Sequence, residues 1–431
     1  MSSNYNTYTL PNGLRIIHKP SVAKVVYCGY QIAAGTRHEL PGEEGMAHFC
    51  EHMTFKGTRT RNALQIINSL EQLGGDLNAF TNKEDTTFYA AIQKEHIAKT
   101  VSLLTDIVFN STYPQHEIDK EVEVICDEIE SYNDSPAELI YDEFENMLFE
   151  GHPLGHNILG QADQLRTYTT EDALRFVHRN YLPEKTVFFI YGDVEFKWVV
   201  KKLEKEFKQS SGAADGSGAF AMRPQNNNGI CNAVGIANPH ITSSSITNAA
   251  EHIIKEIGSH QAHVMMGTVG YDIHHPMRIP LYLLNNILGG PSMNARLNLA
   301  LRERNGLVYT VESTMATYSD TGMWSIYFGC DPHDVNKCLR LIRRELDKVM
   351  QKPLSANALR IAKQQLKGQI AVACDNREQF ALDFGKSFLH YGWEKNVDRL
   401  FESIDKVTAD DIQKVANELF ATDKLKVLIF R

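Results

Sequence analysis

An α+β fold of two related domains is what the sequence predicts, from three observations: the chain's length, a break in composition near its midpoint, and a pattern that recurs on either side of the break. At 431 residues the chain exceeds the size at which one hydrophobic core usually stops growing, so two domains of about 200 residues each are expected. Between residues 209 and 229 the composition turns to Ser, Gly, Ala and Asn, with Gly212, Gly216, Gly218 and the run Asn226-Asn227-Asn228. Such composition makes a linker. It divides the chain into a first domain at 1–208, a linker at 209–228 and a second domain at 229–431. About 240 residues separate Thr170-Glu171-Asp172, a helical run and a strand at 187–190 from Thr408-Ala409-Asp410-Asp411, a helical run and a strand at 427–430. The halves therefore read as a diverged duplication.

Within the first half, strand patterns lead to a helix over 45–56, a second over 63–73, an alternating segment over 76–92 and helical periodicity from about 96 to 149. Antiparallel strands mixed with blocks of helix define the α+β class. With 43% hydrophobic and 23% charged residues the composition is that of a globular protein. No apolar stretch approaches the roughly 20 residues that cross a bilayer, and residues 1–10 carry neither a secretory apolar core nor an Arg-rich presequence. A cytoplasmic location is expected. Seven cysteines without a C-x-x-C pair are expected to be free thiols. A net charge of −9 argues against nucleic acid and anionic membrane as partners.

The chemistry is concentrated in His48-Phe49-Cys50-Glu51-His52. On an α-helix four residues advance about 400°, so His48 and His52 share a face one turn apart, flanked by Glu51. Two imidazoles beside a carboxylate suit zinc, whose catalytic sites take three protein ligands and keep a fourth position for water. Glu51 would accept that water's proton. A third ligand must come from elsewhere, and the acids of 121–128 offer candidates. Glu121 and Glu128 are two helical turns apart and face the same way; one can bind metal while the other orients the site.

His48 to His52, followed by Met53-Thr54-Phe55-Lys56-Gly57-Thr58, resembles the active-site helix of the pitrilysin family of inverted-zincin peptidases, to which insulin-degrading enzyme and mitochondrial processing peptidase belong. The resemblance covers nearly the whole chain and is to the short, two-domain bacterial-type members. It implies that Glu128, 76 residues past His52, is the third zinc ligand, and that Glu121 supports the site. It implies that 75–81, with Asn78, Ala79 and Phe80, is a sheet edge on which substrate lies as an added strand. In the second half, Arg302 and Tyr309, seven apart, resemble the family's pair that contacts substrate and the developing oxyanion. The second half carries no His-x-x-Glu-His and has Gly368 near the position equivalent to Glu128.

The resemblance further implies two domains, each an antiparallel sheet with flanking helices, and one zinc per chain. It implies a clamshell homodimer enclosing a chamber in which peptides or unfolded segments are cut. The rival reading is a non-catalytic scaffold or peptide-binding partner subunit of a heterodimeric peptidase; the presence of all four metal-site residues argues against it. Two lesser signals are discounted. Gly385-Lys386-Ser387 resembles the end of a phosphate loop, but Phe380 stands where its first glycine belongs. His274-His275 precedes Pro276 and reads as a turn.

Overall fold

In the computed structural model, which describes residues 5–212 and 250–431, the strands of each half gather into one sheet. The first half runs β1 (Asn6–Thr9), β2 (Arg15–Pro20), β3 (Val25–Ile32), α1 (Met46–Thr54), α2 (Ala63–Glu71), β4 (Asp76–Thr81), β5 (Thr86–Gln93), α3 (Ile97–Asn110), α4 (Gln115–Asn133), α5 (Pro136–Leu148), α6 (Ala162–Leu165), α7 (Thr170–Asn180), β6 (Thr186–Gly192) and α8 (Phe196–Gly212). The second half runs β7 (His252–Lys255), β8 (Ala262–Gly270), α9 (Arg278–Gly289), β9 (Val308–Thr317), β10 (Gly322–Cys330), α10 (Val335–Gln351), α11 (Ala356–Ala373), α12 (Arg377–Tyr391), α13 (Val397–Lys406), α14 (Ala409–Leu419) and β11 (Lys426–Phe430). Helix α8 extends four residues into the segment read as linker; 213–228 lie outside the described residues.

The sheets follow the orders β1-β2-β6-β3-β5-β4 and β7-β11-β8-β10-β9. Both are mixed, which corrects the expectation of antiparallel sheets: β2 pairs with β6 in parallel, and β11 with β7. The reason in the first sheet is geometric. β6 lies between β2 and β3, which run in opposite directions, so it must be parallel to one of them. The repeat read from sequence takes physical form at the ends of the two halves. Thr169 and Thr408 are N-caps closed as capping boxes by Asp172 and Asp411, each starting the helix (α7, α14) that precedes the returning strand (β6, β11).

The compact units do not follow the linear division at the midpoint. Among the described residues the first comprises 5–129, 156–212 and 374–395, and the second 130–155, 250–373 and 396–431. Two exchanged segments cause the difference, and hydrophobic burial explains both. In the first unit β6 is buried on both faces: Phe188 and Ile190 join the main core, while Val187 and Phe189 pack with Ala381, Phe384 and Leu389 of α12. Gly385 permits the close approach of α12, since a Cβ there would lie 2.4 Å from Gln31 Oε1 and 3.0 Å from Phe189 Cγ. That is the physical role of the glycine that mimics a phosphate loop. In the second unit Ile140, Phe144 and Leu148 of α5 pack with Met265, Met323, Leu428 and Phe430 of its sheet.

Candidate metal centre

Helix α1 begins at Gly45, whose φ of +88° and lack of Cβ are both required: a Cβ would lie 2.7 Å from Leu159 O. Gly45 has no side chain to cap the exposed N–H groups, and Glu39 supplies that function from outside the helix. Its buried carboxylate accepts from Gly45 N at 3.0 Å, Ala47 N at 2.8 Å and His156 Nε2 at 2.8 Å. From that fixed start, Met46, Ala47, Phe49, Cys50 and Met53 enter the core of the first unit, and His48, Glu51 and His52 occupy the remaining face. Cys50 is fully buried with its Sγ toward Ala173 O, and burial pushes its pKa well up. It is a packing residue.

The His48 and His52 rings lie 4.6 Å apart between centroids. Ligand atoms of His48, His52 and Glu128 all fall within 4.8 Å of one another. His48 Nε2 is 3.9 Å from Glu128 Oε1, and His52 Nε2 is 3.5 Å from Glu128 Oε2. On its other side, His52 Nδ1 donates to Glu121 Oε1 at 3.0 Å, and Lys56 Nζ pairs with Glu121 Oε2 at 2.5 Å. Burial would raise Glu121, but the hydrogen bonds from His52 and Lys56 outweigh it and hold its carboxyl below the ordinary value. Glu121 thereby fixes the His52 tautomer and turns Nε2 toward Glu128.

These residues fit a metal ion on the structure's own terms. His48 is buried, its Nδ1 has no hydrogen-bond partner, and its Nε2 stands too far from Glu128 for a hydrogen bond. Burial, with His52 alongside, pushes its pKa down to about 3, so the imidazole is the neutral, electron-donating form a metal requires. Two imidazoles and one carboxylate are zinc's ligand types, and Glu128, with a side chain 46% exposed, leaves the site open to solvent. Glu51 is not among the grouped ligand atoms. Its Oε2 accepts from Thr81 Oγ1 at 2.6 Å, and burial raises its pKa against that hydrogen bond.

Thr81 ends β4, which carries Asn78, Ala79 and Phe80. This strand pairs with β5 on one side only and forms the edge of the first sheet. Leu77 and Ala79 pack against the core, and Phe80 makes an edge-on contact with Tyr89 at 6.1 Å. Arg302 and Tyr309 belong to the second unit. Arg302 sits in a π-helical turn, Asn298–Glu303, with its guanidinium 5.6 Å from the centroid of the Tyr309 ring. Tyr309 is 81% exposed at the start of β9, the edge of the second sheet. π-Helical turns cost hydrogen-bond geometry and concentrate at functional sites.

Sequence reasoning gives no role to Glu39 or His156, and places Thr81 only within the substrate strand 75–81, not beside Glu51. Alternation along β4 could have pointed Thr81 inward with Leu77 and Ala79. No spacing rule links Glu39 or His156 to α1.

Comparison with known proteins identifies relatives of the chain and of its fold. Residues 15–162 match the family model described as Insulinase (Peptidase family M16), and residues 167–366 the model described as Peptidase M16 inactive domain. The chain is 31% identical over 424 residues to the uncharacterized zinc protease YmxG of Bacillus subtilis, covering 98% of this chain and 97% of that one. It is 32% identical over 415 residues to an uncharacterized zinc protease of Streptomyces coelicolor, covering 95% of this chain and 86% of the other. Among solved structures, a protease from Helicobacter pylori superposes with a TM-score of 0.87 at 20% identity, covering 99% of each chain. A peptidase M16 inactive domain from Pseudomonas fluorescens superposes with a TM-score of 0.85 at 18% identity, covering 99% of this chain and 97% of that one.

Proposed function

Because the chain belongs to the insulinase family of peptidases, family M16, we propose that it is a zinc-dependent endopeptidase acting through His48, His52, Glu128 and Glu51. One observation carries the proposal: two imidazoles and a carboxylate converge within 4.8 Å, with a spare buried carboxylate on the same helix. Zinc held by His48, His52 and Glu128, one per chain, would supply Lewis-acid activation of a water molecule. Glu51 takes the proton of the attacking water and hands it to the leaving amine. Glu121 and Lys56 keep His52 in the tautomer that presents Nε2. The free edge at Asn78, Ala79 and Phe80 receives substrate as a further strand, reading extended backbone with little demand on side chains. Arg302 and Tyr309 offer guanidinium and phenol donors for the oxyanion of the tetrahedral species.

The partner proposed is a second copy of the chain, with Arg302 and Tyr309 of one subunit serving the zinc site of the other and the substrate a peptide or unfolded segment enclosed between them. A symmetric dimer would then hold two equivalent composite sites. The first test is metal analysis with cleavage of a random peptide library. About one zinc per chain is expected, with fragments that vanish on chelation and return with zinc. Chelator-insensitive cleavage by metal-free protein would overturn the reading. The second test mixes Glu51→Gln and Tyr309→Phe subunits. About half of the dimers become hybrid, and one site in each regains both intact groups, so activity recovers to roughly a quarter of wild type. Recovery no greater than the average of the two variants would assign both groups to one chain.

A further inference from the structure

We infer that Thr81 is a positioning residue that selects which carboxylate oxygen of Glu51 acts as the base, and that it ties the base to the strand that receives substrate. The inference rests on the endopeptidase reading above and deepens it. A threonine hydroxyl has one proton to give, and the surroundings of Thr81 decide where it goes. Thr86 Oγ1 is 3.5 Å away and spends its own proton on Ala34 O at 2.8 Å. Glu51 Oε2 lies at 2.6 Å from Thr81 Oγ1, the distance of a charge-assisted O–H···O hydrogen bond. Thr81 therefore donates to Glu51.

That bond is shielded from water, since Thr81 and Glu51 are both buried, and a hydrogen bond in a low-dielectric setting holds its geometry more firmly than an exposed one. Among the described residues no hydrogen bond reaches Glu51 Oε1. The two oxygens are thereby differentiated. Oε2 is committed to the protein, and Oε1 is the one available to the proton of the attacking water. In the step itself the water O–H bond breaks and an Oε1–H bond forms; that proton later leaves Oε1 for the amine nitrogen as the peptide C–N bond breaks.

The position of Thr81 on the chain gives the bond its second consequence. It follows Asn78, Ala79 and Phe80 directly on β4, and its side chain points inward with those of Leu77 and Ala79. A peptide docked on the outer edge of β4 would fix its register on the same rigid strand that fixes the carboxylate. Base and scissile bond are then positioned by one element.

Thr81→Val keeps the shape and removes the donor, whereas Thr81→Ser keeps the donor. Relative to wild type, Thr81→Val is expected to lower kcat roughly 10-fold to 100-fold with KM unchanged, and Thr81→Ser to restore most of it. Zinc affinity, read by competition with a chelating dye, is expected to stay within about 3-fold of wild type in both variants. A crystal structure of Thr81→Val should show the Glu51 carboxylate rotated or in two orientations. Unchanged kcat in Thr81→Val, or an equal loss in Thr81→Ser, would overturn the inference. Parallel loss of zinc and thermal stability in Thr81→Val would reduce Thr81 to a packing residue, which also overturns it. Glu51→Gln serves as the control. If that variant turns over normally, the endopeptidase reading has failed; if it is inactive while Thr81→Val is normal, only the inference about Thr81 has failed.

Discussion

The two sheets place a polar residue at the same kind of junction, where the first helix after the entering strand faces an edge strand, and they use it in opposite ways. In the first unit Glu51 on α1 takes one hydrogen bond, from Thr81 of β4. In the second, Asn285 on α9 faces β9 and its oxygen is fully engaged: Nδ2 donates to Ser313 O at 3.0 Å, and Oδ1 accepts from both Ser313 Oγ and Trp324 Nε1. Both side chains are buried. An amide whose oxygen is engaged on both lone pairs has no acceptor site left for a proton and serves as a structural clasp. A carboxylate with one committed oxygen keeps a vacancy for a proton. The two halves thus differ in hydrogen-bond capacity at this junction as well as in metal-ligand residues.

Breaking the comparison at its reactive end should produce the largest effect. Glu51→Gln is expected to reduce turnover by roughly 100-fold to 10,000-fold while zinc stays bound, as measured on a fluorogenic peptide together with metal analysis. Asn285→Ala should leave zinc affinity untouched and instead reduce unfolding free energy in urea by about 2–4 kcal/mol, because it strands the buried Ser313 and Trp324 groups. A large loss of zinc in Asn285→Ala would show that the two junctions are not independent.

Next in size is the removal of Glu121. Glu121→Gln is expected to weaken zinc binding roughly 10-fold to 100-fold, since His52 loses the carboxylate that holds its tautomer; equilibrium dialysis would measure it. An unchanged dissociation constant would make the Glu121–His52 hydrogen bond incidental.

The smallest effect concerns Asp85, in the turn between β4 and β5. Its carboxylate accepts from His390 Nε2 at 3.0 Å and pairs with Lys386 Nζ at 2.8 Å, both on α12. Burial would raise Asp85, but the His390 hydrogen bond and the Lys386 charge outweigh burial and hold it well below the ordinary value. A carboxylate depressed on folding contributes stability above its unfolded pKa of about 3.9, and that contribution is lost as pH falls through the folded value. Asp85→Asn should therefore lose about 1–3 kcal/mol at pH 7, the lower end reflecting the half-exposed lysine. The gap between variant and wild type should narrow below about pH 4. A gap independent of pH would mean the effect is packing alone.

Much of this was legible in the chain. The i, i+4 histidines, the glutamate between them and the two-turn spacing of Glu121 and Glu128 are helical geometry, which sequence spacing encodes directly. Alternation over 76–92 likewise became β4 and β5. Contacts without a periodic signature stayed hidden. Glu39 reaches α1 through a loop, His156 reaches Glu39 across 117 residues, and Thr81 meets Glu51 across 30. The parallel pairing of β6 also escaped, because strand direction follows from where a strand is inserted, which local pattern does not contain.

The exchange of helices has a consequence for how the protein comes to exist. Residues 1–208 hold every zinc-site candidate and all six strands of the first sheet, yet the layer over Ile17, Val187 and Phe189 is not synthesised until Ala381, Phe384 and Leu389 emerge from the ribosome. Arg15 donates to the Phe388 and Leu389 carbonyls, a sequence separation of more than 370 residues. A nascent first half must carry that apolar sheet face uncovered until α12 has been made, and it is exposed to aggregation meanwhile. Contacts of such high order also place docking of α12 late in folding. The first unit is therefore completed only once α12 has been made, although its zinc-site candidates all lie before the midpoint.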